Sequence, residues 1–167
     1  TLRSFIRECI ISRDLTVPEY QGMATYLKSL TQVPLIGLTK YVADDDPLGE
    51  FRCVEVAGST DPHFDSVMQL YEAHFKGSPV GIGRDEFQRQ LVFATRSGVC
   101  YHLLAALAIP EKYAVGMTSF FSFGRVGFGG YLVVAKSWRQ RGLARHLIRC
   151  MERTLVADDR HVEGWLI

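Results

Sequence analysis

The chain has 167 residues, 47% of them apolar and 22% charged, with 19 Lys and Arg against 18 Asp and Glu. That length and apolar content fit one domain with a sizeable core. A net charge near zero offers no basic footprint of the kind a nucleic-acid-binding surface needs, so no nucleic acid is expected as partner.

The only concentration of positive charge is Arg139, Arg141, Arg145 and Arg149. It reads either as a solvated helix face or as an attractor for a polyanionic ligand. No apolar run approaches the roughly 20 residues that span a bilayer, and no membrane segment is expected. Cys9, Cys53, Cys100 and Cys150 are widely spaced with no C-x-x-C pair, which speaks against a structural zinc site and against a disulfide framework. Reduced thiols and a cytoplasmic location are the expectation. The first residue is Thr rather than Met, which leaves room for a processed leader or a longer natural N-terminus.

Residues 1–48 read as an N-terminal extension. Pro18 to Leu30 fits a short helix with Tyr20, Met23, Ala24 and Leu27 on one side. Pro34, Gly37 and the run Asp44-Asp45-Asp46-Pro47 read as loop, the aspartates as a solvated turn. The core is expected over 49–167. Glu50 to Ala57 alternates as a first strand, with Phe51, Cys53 and Val54 or Val56 inward, and Gly58 ends it. Asp61 is placed to cap a helix with Pro62 at its first position. Phe64, Val67, Met68, Tyr71 and Phe75 then recur at helical spacing up to Gly77 and Pro79. A second helix spans Arg84 to Arg96, with Phe87, Leu91 and Ala94 on one face and Gly98 as its stop. Gly81-Ile82-Gly83 lets the chain turn between the two.

Cys100 to Ile109 is a nearly unbroken apolar run, the pattern of a central strand. Pro110-Glu111-Lys112 turns the chain into a second strand, Tyr113 to Phe121. Gly124-Arg125 reverses it again into a third, from Val126 to Val134, so that the three form an antiparallel meander. A basic turn follows, Arg139-Gln140-Arg141-Gly142-Leu143-Ala144, and then a helix with Leu143, Leu147, Ile148, Met151 and Leu155 on one face. The first amides of such a helix have no intrahelical acceptor and sit at the positive end of its dipole. Strand, glycine-containing basic turn and helix start together make an anion site. His161 to Ile167 reads as a last strand, parallel to Val126–Val134.

Arg139-x-x-Gly142-x-Ala144 resembles the Q/R-x-x-G-x-G/A signature of the GNAT superfamily of N-acetyltransferases. Leu132-x-Val134, ending five residues earlier, is similar to the strand pattern that precedes it there. The resemblance implies an α+β (α/β) fold, a mixed and mostly antiparallel sheet flanked by helices, behind an N-terminal extension. It implies acetyl-coenzyme A as acetyl donor and an amine acceptor, on a small molecule or a protein. The turn Arg139, Gln140, Arg141, Gly142, Leu143 and Ala144 would hold the pyrophosphate; the backbone of Leu132, Val133 and Val134 would hold the pantetheine arm. No metal is implied. In layout the likeness covers Phe51 to Ile167, in specific residues only Leu132 to Ala144. Family members carry a further helix and usually two more strands beyond this point. The chain is therefore expected to be a fragment or to be completed by another polypeptide. An apolar edge at Gly164-Trp165-Leu166-Ile167 would be left open, inviting a homodimer or other pairing through the terminal strand.

In the family a bulge in the strand before the turn splays two parallel strands apart. Gly127, Gly129 and Gly130 suit such a bulge, and equally suit a plain glycine-rich loop. The backbone N–H near Leu132 is the candidate oxyanion donor. Many relatives place a Glu on this strand to deprotonate the amine, whereas Val126–Val134 contains no acidic residue. Glu72, His74, Glu86 and His102 are substitutes, each also readable as a structural residue, and Ser119 or Ser122 is placed to orient a water. Two functions stand: an acetyl-coenzyme A-dependent N-acetyltransferase, and a non-catalytic acyl-coenzyme A-binding or interaction domain of the same fold.

Overall fold

Among the described residues five strands form a single sheet in chain order, the first four successively antiparallel and the last parallel to the fourth. The computed structural model describes residues 36–38, 49–97, 99–110 and 112–166. The elements run β1 (Phe51–Glu55), α1 (Phe64–Phe75), α2 (Arg84–Ser97), β2 (Cys100–Ala108), β3 (Ala114–Phe123), β4 (Val126–Val134), α3 (Leu143–Asp158) and β5 (Gly164–Leu166), with a short 3-10 turn at Lys136–Trp138. This is the expected order. The helix at Pro18–Leu30, the aspartate run at 44–46 and the stop at Gly98 fall outside the described residues.

Alternation along the strands divides the apolar residues between two layers. Leu103, Ala105 and Leu107 of β2 pack with Val67, Met68 and Tyr71 of α1 and Phe87 and Leu91 of α2. Leu104, Ala106 and Ala108 point the other way, into clusters that include Cys150, Met151 and Leu155, or Leu143 and Leu147, of α3. The helical stripe expected on α3 is the face it buries.

One irregularity reorganises β4. Ser119 pairs with Tyr131 but Phe120 pairs with Gly129, leaving Gly130 as an extra residue. This is a bulge, and it shifts the alternation by one. Val126 and Phe128 before it, and Tyr131 and Val133 after it, thus all reach the α1/α2 layer. A side chain has no room at the bulge, because a Cβ on Gly130 would lie 2.9 Å from Ser119 Oγ and 3.0 Å from Ser119 O. The buried Ser119 hydroxyl accepts the Tyr131 N–H at 3.2 Å. Ser119→Ala orphans that amide and is expected to cost about 1–2 kcal/mol, read as a lower urea midpoint.

Two local expectations are corrected. Asp61 does not cap α1: the helix starts at Phe64 with His63 as N-cap. The Asp61 carboxylate instead accepts from His63 N (2.8 Å) and Ala57 N (3.3 Å), closing the turn ahead of the helix. The last strand is shorter than read, because Asp159 folds residues 159–162 into a turn. Its side chain accepts from His161 N at 2.8 Å and its carbonyl from Val162 N at 3.0 Å.

The outer edge of β5 is not bare. Ile36 and Trp165 exchange both backbone hydrogen bonds, at 2.9 and 3.0 Å, in an antiparallel bridge. Leu38 packs into the same cluster as Trp165. A segment of the chain's own N-terminal region covers the edge at the point where pairing with another molecule was expected.

Candidate functional site

The chain leaves β4 at Val134, makes the 3-10 turn and enters α3 through two left-handed residues, Gln140 (φ 66°) and Gly142 (φ 79°), on either side of Arg141. Gly142 is the N-cap of α3 and supplies no capping side chain. The first helical bond runs from His146 N to Gly142 O at 3.1 Å. Among the described residues none of the amides from Gln140 to Arg145 has a protein acceptor. Gly142, Ala144 and Arg145 are solvent-exposed, while Leu143 turns into the core. Left-handed residues in such a turn gather successive N–H groups into an anion-binding concavity, here reinforced by the helix dipole. A Cβ on Gly142 would meet nothing within 4 Å, so no neighbouring atom crowds the turn at that position.

The four arginines are placed differently from one another. Arg139 donates through Nε to Val134 O at 3.3 Å and through its guanidinium to His74 Nε2 at 3.3 Å. His74 Nδ1 in turn contacts Leu70 O at 2.9 Å, which fixes the Nδ1–H tautomer. Arg141 lies over the Trp138 ring at 5.1 Å and pairs with Glu50 at 3.2 Å, with both partners about half exposed. That pair adds little stability. Arg145 and Arg149 have no carboxylate partner among the described residues.

The backbone of β4 supplies the second half of the site. Ala135 N donates to Val115 O of β3 at 2.8 Å. Backbone groups alternate sides along a strand, so Val133 also faces β3 while Leu132 and Val134 present N–H and C=O to the opposite edge. β5 pairs with β4 only over Val126–Phe128, so among the described residues no strand covers Leu132 or Val134 on that side. The bulge lies where pairing with β5 ceases. Leu132 is 42% exposed. The Tyr131 hydroxyl donates to Val80 O at 2.6 Å, and the Tyr71 hydroxyl accepts from Ile82 N at 2.7 Å. These two bonds tie the α1–α2 loop down beside the open edge. The Tyr131 ring meets those of Tyr71 and Phe75 edge-on at 5.0 and 5.1 Å.

Of the acid–base candidates His74 reaches the turn, and its Nε2 accepts from Arg139. Glu72 is exposed on α1. Glu86 is held within α2 by Arg89 (2.7 Å) and Gln90 (3.2 Å). His102 sits at the far end of α3, between Glu55 (Nδ1, 2.6 Å) and Asp158 (Nε2, 2.8 Å). Burial alone would lower its pKa, but hydrogen bonds to Asp158 and Glu55 outweigh this and raise it to about 9. Ser119 is committed to the bulge, and Ser122 is buried on β3. The partners Glu50 and Val80 were not legible in the sequence, since each is a surface contact from a remote segment.

An antiparallel meander, a bulged fourth strand beside a parallel neighbour, and bare amides at the start of the following helix are the architecture of the acetyltransferase (GNAT) fold. Residues 64–165 match the acetyltransferase (GNAT) family, and the chain belongs to it. Solved structures with the same fold include an aminoglycoside acetyltransferase from an uncultured soil metagenomic sample, in complex with sisomicin (19% identity, 70% of this chain and 75% of that one, TM-score 0.53). AAC(6')-Iy in complex with a bisubstrate analog, CoA-S-monomethyl-acetylneamine, is similar at 16% identity over 71% of this chain and 78% of that one, TM-score 0.52. A tandem GNAT protein from the clavulanic acid biosynthesis pathway aligns over 86% of this chain and 48% of its own, at 14% identity and TM-score 0.55. At these identities the likeness is one of fold. No curated protein matches the chain by sequence.

Proposed function

We propose that this chain binds acetyl-coenzyme A and transfers the acetyl group to a primary amine. The observation that carries this reading is the row of unpartnered amides from Gln140 to Arg145, open to solvent at the N-terminus of α3. In this reading the pyrophosphate lies against the amides of Gln140, Arg141, Gly142, Leu143 and Ala144, with Arg139 beside it, and the pantetheine arm runs along Leu132, Val133 and Val134, on the free edge that the backbone of Leu132 and Val134 presents. Membership of the family supports acetyl-coenzyme A as donor, as does the bisubstrate analog bound by AAC(6')-Iy.

The chain's contribution is alignment and charge stabilisation. The amine nitrogen must meet the thioester carbon with its lone pair directed at it. As the C–N bond forms, negative charge grows on the carbonyl oxygen, and the Leu132 N–H is the donor offered to it. Collapse of the tetrahedral species breaks the C–S bond and releases coenzyme A as thiol. The acceptor enters beside Tyr131 and the α1–α2 loop, the side that the open edge faces. Among the described candidates His74, Glu86, His102 and Ser119 are engaged by other groups, and in this reading the amine loses its proton to solvent. The rate is therefore expected to climb with pH up to the acceptor's own pKa, without an inflection from a protein group between pH 6 and 8; a plateau well below that pKa would reveal a base.

Thiol release from acetyl-coenzyme A across a panel of primary amines tests the assignment. Turnover with any of them supports a transferase. Coenzyme A binding without turnover favours the non-catalytic reading, to which the absence of an acid on β4 lends some weight.

A further inference from the structure

At the end of α3 remote from the proposed cofactor turn, three elements bring together ligands that neither the family nor the proposed chemistry uses. We propose that Cys100, His102 and Asp158 form a zinc-type metal site, with Glu55 as the outer partner of His102. The Cys100 thiol, a His102 ring nitrogen and an Asp158 carboxylate oxygen all lie within 4.8 Å of one another. Thiolate, imidazole and carboxylate are together a borderline-soft set that fits Zn(II) better than Mg(II) or Ca(II). With metal–ligand bonds of about 2.0–2.3 Å, a tetrahedral site needs its ligand atoms roughly 3.3–3.7 Å apart. His102 Nε2 and Asp158 Oδ2, now at 2.8 Å, must part slightly and the thiol must close in. Cys100 and Asp158 are both surface residues with room to do so.

Two further features fit a cation there. Glu55 Oε1 lies 2.6 Å from His102 Nδ1. That arrangement keeps a proton on Nδ1, as carboxylate partners of metal-bound histidines do, while Nε2, which donates to Asp158, gives up its proton when the metal takes that place. Asp158 closes α3, whose last turn contains no basic residue, so the negative end of the helix dipole has no cation from its own helix. The ring is kept in place by stacking on Phe120 at 4.9 Å. The sequence concealed the site because its ligands are not in a run. Cys100-x-His102 shares one face of β2, while Asp158 arrives from α3 and Glu55 from β1. Asp158 lies 15 residues beyond Leu143 on α3, about 22 Å along the axis. The metal is thus a clip tying α3 to β1 and β2 rather than a participant in acyl transfer.

The test is a Co(II) and Zn(II) titration of the full chain after treatment with a chelator. One Co(II) per chain is expected, with a thiolate-to-cobalt charge-transfer band, tetrahedral ligand-field bands and a raised melting temperature. Cys100→Ser should abolish the charge-transfer band and weaken binding at least ~100-fold, while Cys53→Ser leaves both intact. Glu55→Gln should weaken binding about 10–100-fold with the band retained, an effect that a purely structural ion pair would not produce. Co(II) failing to bind at a small molar excess, or a band that survives Cys100→Ser, overturns the proposal. Coenzyme A binding is measured in the same samples and is expected to be unchanged, so loss of one site is not mistaken for loss of the other.

Discussion

Gly142→Asp is expected to leave the fold standing and to remove coenzyme A binding. Gly142 has φ 79°, and a Cβ there would meet nothing within 4 Å. The backbone penalty is on the order of 1 kcal/mol, small for Asp, which tolerates the left-handed region better than most residues. The functional penalty is electrostatic. A carboxylate at the N-cap accepts the amides that a pyrophosphate would use and repels the phosphate charge. A loss of at least ~100-fold, about 2.7 kcal/mol, should appear in a calorimetric titration. Gly142→Asn has the same shape without the charge and should lose distinctly less. Equal affinities for the two variants would mean that the anion does not sit there.

The second large effect concerns a single backbone hydrogen. Leu132→Pro deletes the N–H that faces away from β3, so the ladder to β3 keeps its bonds, and proline is tolerated at edges of this kind. Loss of one oxyanion donor typically lowers kcat by about 10²–10³. Expected, then, is a fall of that size in acetyl transfer with near-normal coenzyme A affinity and a modest fall in melting temperature. Val133→Pro is the contrasting variant. Its N–H points to β3, and its loss should damage folding rather than turnover alone. If the two prolines behave alike, the assignment of edges along β4 is wrong.

What the sequence revealed follows from how local each signal is. The β4–turn–α3 unit was readable because an apolar run, Gly142 between arginines and a stripe from Leu143 to Leu155 all lie within thirty residues. The glycines before Tyr131 fit a bulge and a plain loop equally. Which of them is the extra residue depends on the partner strand, since it is Ser119 that captures the Tyr131 amide and excludes a Cβ from Gly130. Asp61 carried the residue type of a helix cap, but its carboxylate closes the preceding turn at Ala57 and His63. In the sequence the edge at Trp165 reads as open because its partner, Ile36, is 129 positions earlier in the chain. The acid–base question was misleading for the same reason. His74 and His102 are equally eligible by type, and only packing shows that one is engaged by Arg139 and the other clamped 47 and 56 positions from its carboxylates.

The α3 entry carries the whole functional reading, and backbone amide resonances observed during a coenzyme A titration examine it directly. The amides of Arg141 to Arg145, with those of Leu132 and Val134, are predicted to shift together and saturably, while those around Asp158 at the other end of the same helix stay put. Shifts confined to other parts of the chain, or none at millimolar coenzyme A, would contradict it.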